Sequence, residues 1–291
     1  MRYEVRHRST YIYAQPVDLS HHMLKLTPRP LGFQSVLASA IETNPSATFM
    51  GAGADYFGNG VTFLALTEPH DRLQVEMHAT VEVKFPPPPP SETTPPWDSV
   101  RDAFRAAPGP DLLEASEFVY ESPLTPVDTE IAGYAAPSFP PGRPLLAAAL
   151  DLNQRIHRDF IFDGNATLIS TPLSEVMRRR RGVCQDFAHL SLAAYRAMGL
   201  AARYVSGYIR THHEQNGPVL AGADASHAWV SVYCPGVGWV DLDPTNDLVV
   251  SEEHIVLAWG RDYGDISPIR GVILGGGEHT LDVAVDVVPI A

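Results

Sequence analysis

Between Leu73 and Phe85 the chain alternates with period two. Leu73, Val75, Met77, Ala79, Val81, Val83 and Phe85 are apolar, and Gln74, Glu76, His78, Thr80, Glu82 and Lys84 fall between them. Successive side chains of a strand point to opposite faces, so the pattern predicts a strand with one buried face. Tyr3 and Val5, then Tyr11 and Tyr13, mark earlier strands, and DYFGNG at 55–60 carries the Asn-Gly pair of a tight hairpin turn. The first 85 residues thus read as β structure. Residues 86–96, PPPPPSETTPP, hold seven prolines. Such a run predicts an extended linker or edge-hugging segment that joins neither sheet nor helix. It divides a β-rich domain at 1–85 from a second domain at 97–291.

After the prolines the apolar spacing turns helical. DSVRDAFRAA and DLLEASEFVYES are two such stretches, and PLLAAALDLNQRIHRDF is the longest, with a stripe of Leu145, Ala149, Leu152 and Ile156. Pro144 stands near its start, where proline is tolerated. TPLSEVMRRRR predicts another helix with Thr171 as N-cap and Pro172 at the first helical position. A helix over 185–198 ends at Gly199. ARYVSGYI, SHAWVSVYC and GWVDLDP then read as strands, and LDVAVDVV closes the chain with Leu281, Val283, Val285 and Val287 alternating.

Composition narrows the classes. A formal net charge of -13 argues against nucleic-acid or anionic-membrane partners. The first residues are charged and lack an apolar signal region, and the longest apolar run, Leu145–Leu150, is far too short to span a bilayer. Two cysteines make no disulfide framework and show no paired zinc spacing. These features predict a cytoplasmic chain with reduced thiols and no metal or cofactor.

One cysteine, Cys184, sits in RRGVCQDFAHL, behind a glycine and at the predicted start of a helix. There the helix dipole and unpaired N–H groups favour negative charge, as a nucleophilic thiolate or an oxyanion requires. The plainer reading is a small apolar residue entering the core. The Arg178–Arg181 run reads first as the solvated end of the preceding helix. Among twelve histidines, His189 lies five residues on and is rotated by roughly 140° about the helix, so it is structural. The doublets His21-His22 and His212-His213 point to opposite faces if on strands and form no ready metal pair. His227 opens SHAWVSVY, 43 residues after Cys184 (227 minus 184), a tertiary rather than local distance. On the next strand Trp239, Asp241 and Asp243 share a face, so two carboxylates compete to orient His227.

Register decides whether these groups meet. PGVG between the strands predicts an antiparallel hairpin, in which opposed residues have a constant sum of numbers. An odd sum such as 473 puts His227 and Asp243 on opposite faces. An even sum such as 472, from a five-residue loop or a bulge, puts Trp229 opposite Asp243 with His227 diagonal to it. A catalytic arrangement requires the even register and sends Cys234 into the loop or to the far face.

GVCQDFAHL, GLAARYVSGYI and SHAWVSVYCPGVGWVDLDPTND, with HIVLAWGRDYGDISPIRGV, resemble the bacterial transglutaminase-like proteins of cysteine-protease type. YEVRHRSTYIYAQPVDLSHHMLKLTPRP resembles the N-terminal β domain that accompanies them. The resemblance implies an α+β, papain/transglutaminase-like core, with a cysteine-bearing helix packed on an antiparallel sheet. It implies Cys184 as nucleophile, His227 as base and Asp243, rather than Asp241, as the residue orienting the imidazole. Two positions depart from the pattern: Asp247, where a glycine or small residue is expected, and Phe162, where tyrosine is common. The implied activity is cleavage or transfer of a peptide, isopeptide or side-chain amide through a thioester, with hydrolysis favoured. Amine transfer and a non-catalytic peptide-binding module are the alternatives. Arylamine N-acetyl transfer fits less well because Cys184 lies beyond the midpoint, and a metallo-hydrolase fits least. The implied partners are peptide or protein substrates and, by resemblance alone, ATP-grasp-type proteins.

Overall fold

A computed structural model describes residues 1–106, 109–211 and 226–290. The alternation at Leu73–Val83 produces what it predicts: each odd-numbered residue of that run is buried within a strand. The N-terminal strands are β1 (Arg2–Leu24), β2 (Gln34–Asn44), β3 (Phe49–Ala54), β4 (Gly60–Leu66) and β5 (His70–Val83), in sheet order β2-β5-β1-β4-β3. Tyr3, Val5, Tyr11 and Tyr13 belong to the single long β1. The 55–59 connection is not a two-residue Asn-Gly turn. Ala54 pairs with Gly60, leaving a five-residue loop with Gly58 at φ 72°.

The helical region follows as α1 (Trp97–Arg105), α2 (Pro110–Ser116), α3 (Thr129–Ala135) and α4 (Leu145–Asp159), then β6 (Ile161–Phe162), α5 (Leu173–Arg179) and β7 (Arg181–Gly182). The proline segment is not wholly extended, since Ser91–Thr93 makes one 3-10 turn. Pro144 is the N-cap of α4, at its start as expected, and Pro172 is the N-cap of α5 rather than its first residue. Thr171 instead accepts the Leu168 N–H at 2.9 Å, closing the loop before α5. Sequence reading missed α3, whose seven residues give too little periodicity to register; Asp128 caps it by accepting from the Ile131 N–H at 2.8 Å.

The second layer is built on α6 (Cys184–Ala197), β8 (Ala202–Ile209), β9 (His227–Cys234), β10 (Gly238–Asp243), β11 (Leu248–Val249) and β12 (His254–Gly260). These strands form an antiparallel sheet in the order β11-β10-β9-β8-β12. Its even-numbered face on β9 and β10 (Ala228, Val230, Val232, Val240, Leu242) packs into the core with α6, whose residues Asp186–Arg196 are all buried. Val205, Trp229 and Val256 on the other face pack with Leu31, Phe33 and Phe85 from the first domain. Beyond β12 come α7 (Tyr263–Ile266), β13 (Ile269–Gly275) and β14 (His279–Ile290).

The last two strands do not stay with the second layer. Both pair antiparallel with β1, β14 along Arg2–Tyr13 and β13 along Val17–Leu24. The proline run marks where the chain leaves the first sheet, but residues 269–290 return to it. The two layers also share polar contacts. Gln34 donates to the Val256 carbonyl and accepts its N–H, both at 2.8 Å, and Asn59 does the same with Trp259 at 2.8 and 2.9 Å. Two amide side chains thus stand in for a neighbouring strand and close the exposed edge of β12. No helix among the described residues is long and apolar enough to cross a membrane.

Candidate active site

The hairpin has the even register. Gly238 pairs with Cys234, Trp239 with Tyr233 and Asp241 with Ser231, a constant sum of 472. The loop that sets it holds three residues, 235–237, shorter than the five-residue loop that is one of the two routes to this register; Gly236 and Gly238 take φ of 81° and 98° to close it. His227, Trp229, Asp241 and Asp243 therefore share a face, and Cys234 turns to the other, fully buried.

His227 Nε2 and Asp243 Oδ2 are 2.9 Å apart, and both side chains are sealed from solvent. Asp241 is not the competitor it seemed, because its Oδ2 accepts from Trp229 Nε1 at 3.2 Å. Asp243 is held from several sides. Its Oδ1 accepts the N–H groups of Thr245 (2.9 Å) and Asn246 (3.2 Å), the local geometry of an aspartate that starts a turn. Its Oδ2 also accepts from Asn246 Nδ2 at 2.8 Å and lies 3.4 Å from His254 Nε2. Asn153 and His157, one turn apart on α4, bond the carbonyls of Asp243 and Thr245 at 3.3 and 2.9 Å. Asp247 has φ 52°, which explains why glycine suits that place; its carboxylate accepts from Asn153 at 3.2 Å.

Cys184 is the first residue of α6 and half-buried. The chain reaches it through β7, which pairs parallel with β6 so that Phe162 stands beside Gly182. Asp186, in the first turn, turns back to accept the Val183 N–H at 2.8 Å and the Thr167 hydroxyl at 2.6 Å. A Cβ on Gly182 would lie 2.6 Å from the Asp186 carboxylate, so only glycine admits this brace. The arginine run behaves as a helix end: Arg178 and Arg179 pair with Glu175, and Arg181 with Asp163. Arg180 lies over the Tyr134 and Phe160 rings. His189 accepts the Tyr263 N–H at 3.2 Å and is structural. His21 is exposed and His22 buried on opposite faces of β1, while His212-His213 lies outside the described residues.

Burial disfavours charge on His227, but the Asp243 carboxylate outweighs it, with a smaller share from Cys184, and the imidazole pKa rises to about 10. Burial pushes the Asp243 carboxyl upward, yet His227 and His254 hold it well below the usual carboxylate range. With Nε2 engaged by Asp243, His227 Nδ1 is buried without another partner, and the Cys184 thiol beside the ring favours its charged form both as a hydrogen-bonding group and as a charge.

This ion pair has a pH signature. The folded chain keeps a proton on His227 that the unfolded chain releases near pH ~6.5. Stability from the pair is therefore full below that value and is lost as pH rises toward about 10, at up to about 1.4 kcal/mol per pH unit. Asp243 acts in the opposite sense, its contribution present above pH ~3.9 and lost below it. Urea unfolding across the alkaline range should show a falling limb that His227→Gln flattens; equal slopes in both proteins would contradict the assignment.

Residues 3–82 match the bacterial transglutaminase-like N-terminal region, and residues 136–244 match the transglutaminase-like superfamily. The chain is 41% identical over 293 residues to an uncharacterized protein of Mycobacterium tuberculosis, covering 99% of this chain and 93% of that one. The chain belongs to the bacterial transglutaminase-like family. An uncharacterized protein of Mycobacterium leprae is 34% identical over 294 residues, covering 100% of this transglutaminase-like chain and 99% of its own. The fold is shared by the crystal structure called "a Putative Cysteine Protease from Cytophaga hutchinsonii", with a TM-score of 0.75, 20% identity, and coverage of 100% and 92% of the two chains.

Proposed function

We propose that this transglutaminase-like chain is a thiol enzyme that hydrolyses an amide through a thioester on Cys184. The observation that carries the reading is the sealed His227–Asp243 pair, whose one unengaged ring nitrogen is left for a half-buried cysteine at a helix start. Asp243 fixes the ring and offsets imidazolium charge, so the proton given up by Cys184 is held on His227 as a thiolate–imidazolium pair. The thiolate attacks the amide carbonyl carbon and forms a C–S bond while the carbonyl electrons move to oxygen. The Cys184 backbone N–H, free of an intrahelical partner at this position, faces that oxyanion. Collapse breaks the C–N bond, and the imidazolium returns its proton to the departing amine. Water then adds with His227 as base, and the thiol leaves with a carboxylic acid as product.

His254 and Asn246 are positioning residues in this reading, acting through Asp243. Hydrolysis is favoured over amine transfer because water is always present, whereas transfer needs a channel that holds an amine and excludes water. Mass spectrometry tests both halves. Incubation with an activated acyl ester is expected to add one acyl group to Cys184, and added primary amine should leave the free acid as the main product. No adduct in the wild type overturns the thiol reading, and a dominant amide product overturns hydrolysis.

A further inference from the structure

Arg203 of β8 lies on the sheet face that carries His227, two side chains further along the strand. Its guanidinium carbon stands 4.3 Å from the Trp239 ring centre and 3.8 Å from that of Trp259. The residue is 9% exposed, and its Nε is buried without an acceptor. No hydrogen bond or ion pair engages its other nitrogens among the described residues. The tryptophans cover the flat faces of the guanidinium, but its donors point outward in its own plane and remain unused. Asp241, a nearby carboxylate on the sheet, is bonded to Trp229. The neighbouring Arg29 has its Nη1 engaged, donating to the Phe57 carbonyl and to Asn59 Oδ1 at 2.8 and 2.7 Å.

A cavity of about 260 Å³ opens onto Arg203. Trp239, Trp259, Phe57 and Phe118 form its apolar wall, and Glu114 and Glu117 border it. It sits where the 55–59 loop, α2 and the second sheet meet, a junction of layers of the kind that hosts small-ligand sites. A simple anion would meet the two glutamates, and a simple cation would meet Arg203. A small zwitterion answers both charges.

We infer that this cavity binds a free amino acid with an apolar side chain. Its carboxylate takes the in-plane donors of Arg203, its ammonium lies toward Glu114 and Glu117, and its side chain rests on the aromatic wall. The site includes none of Cys184, His227 or Asp243, so it stands independently of the thiol chemistry.

Tryptophan fluorescence of the full chain, titrated with L-leucine, tests this, because Trp239 and Trp259 line the site. A saturable change is expected with L-leucine. L-leucinamide, lacking the carboxylate, and N-acetyl-L-leucine, lacking the ammonium, should each bind about tenfold more weakly or worse. Arg203→Gln should lose binding to a similar degree. Glu114→Gln, at an exposed position, leaves the core untouched and should also weaken L-leucine about tenfold. Absence of a saturable response to L-leucine overturns the site. Equal binding of N-acetyl-L-leucine, or wild-type affinity in Glu114→Gln, overturns the zwitterion assignment even if Arg203→Gln fails to fold.

Discussion

Asp243→Ala is expected to lower the stability of the folded chain by about 3–5 kcal/mol, the scale for removing one partner of a buried ion pair. The deletion strands more than one group. His227 loses the charge that keeps its imidazolium in a sealed site, His254 Nε2 and Asn246 Nδ2 lose their acceptor, and the Thr245 and Asn246 N–H groups lose theirs. Asp243→Asn separates this from chemistry. The amide can still accept at Oδ1 but carries no charge, so the fold should largely survive while turnover falls by about 10⁴-fold, as when a triad carboxylate is neutralised elsewhere. Chemical denaturation and single-turnover acylation on the same preparations check the two effects. A normal acylation rate in a folded Asp243→Asn protein would remove Asp243 from the machinery.

His227→Ala is the second large effect. It removes the group that takes the thiol proton and returns it to the leaving amine, so both bond-making and bond-breaking halves suffer. Acylation by an unactivated amide should fall by about 10⁴-fold or more, with loss of Cys184 adding little further, because residues that act as one unit are not additive. An activated ester, whose leaving group needs no proton, should be less affected. That difference between substrates is a readout that misfolding alone does not produce.

Much of this centre was legible in the chain because its signals are local. A cysteine behind Gly182 at a helix start, a histidine opening a strand and an aspartate closing the next one can each be read from period and punctuation. Register parity then turned their relation into a test, and the pairing of Asp241 with Ser231 satisfied it. The loop length itself is not legible from PGVG, since three residues suffice when two glycines adopt positive φ. What stayed hidden depends on contacts distant in sequence. His254 reaches Asp243 from β12, and Asn153 and His157 brace the turn from α4, about ninety residues earlier in the chain. Nothing in their local pattern sets them apart from ordinary core or helix-surface residues.

The domain layout shows the same divide. Seven prolines announce where the chain leaves the first sheet, but the return of residues 269–290 to β1 is written only in the pairing of two distant alternating segments. Alternation says that a strand has a buried face and leaves open which sheet buries it. Thr171 and Pro172 illustrate a smaller shift of the same kind: the hydroxyl that would cap α5 finds the Leu168 N–H instead.

The account rests on Cys184 being a thiol activated by His227, and alkylation kinetics address this most directly. Iodoacetamide labelling of the folded wild type, followed at each cysteine by mass spectrometry across the acid-to-neutral range, carries its own internal control. Cys234 is fully buried, and burial pushes its thiol up to about 11. Cys184 should react fast already in mildly acidic solution, Cys234 should stay unlabelled, and His227→Ala should slow Cys184 about a hundredfold. Equal labelling of the two cysteines, or a Cys184 rate indifferent to His227, would contradict the thiol-enzyme reading and leave a folded chain whose cysteine is not activated by its histidine.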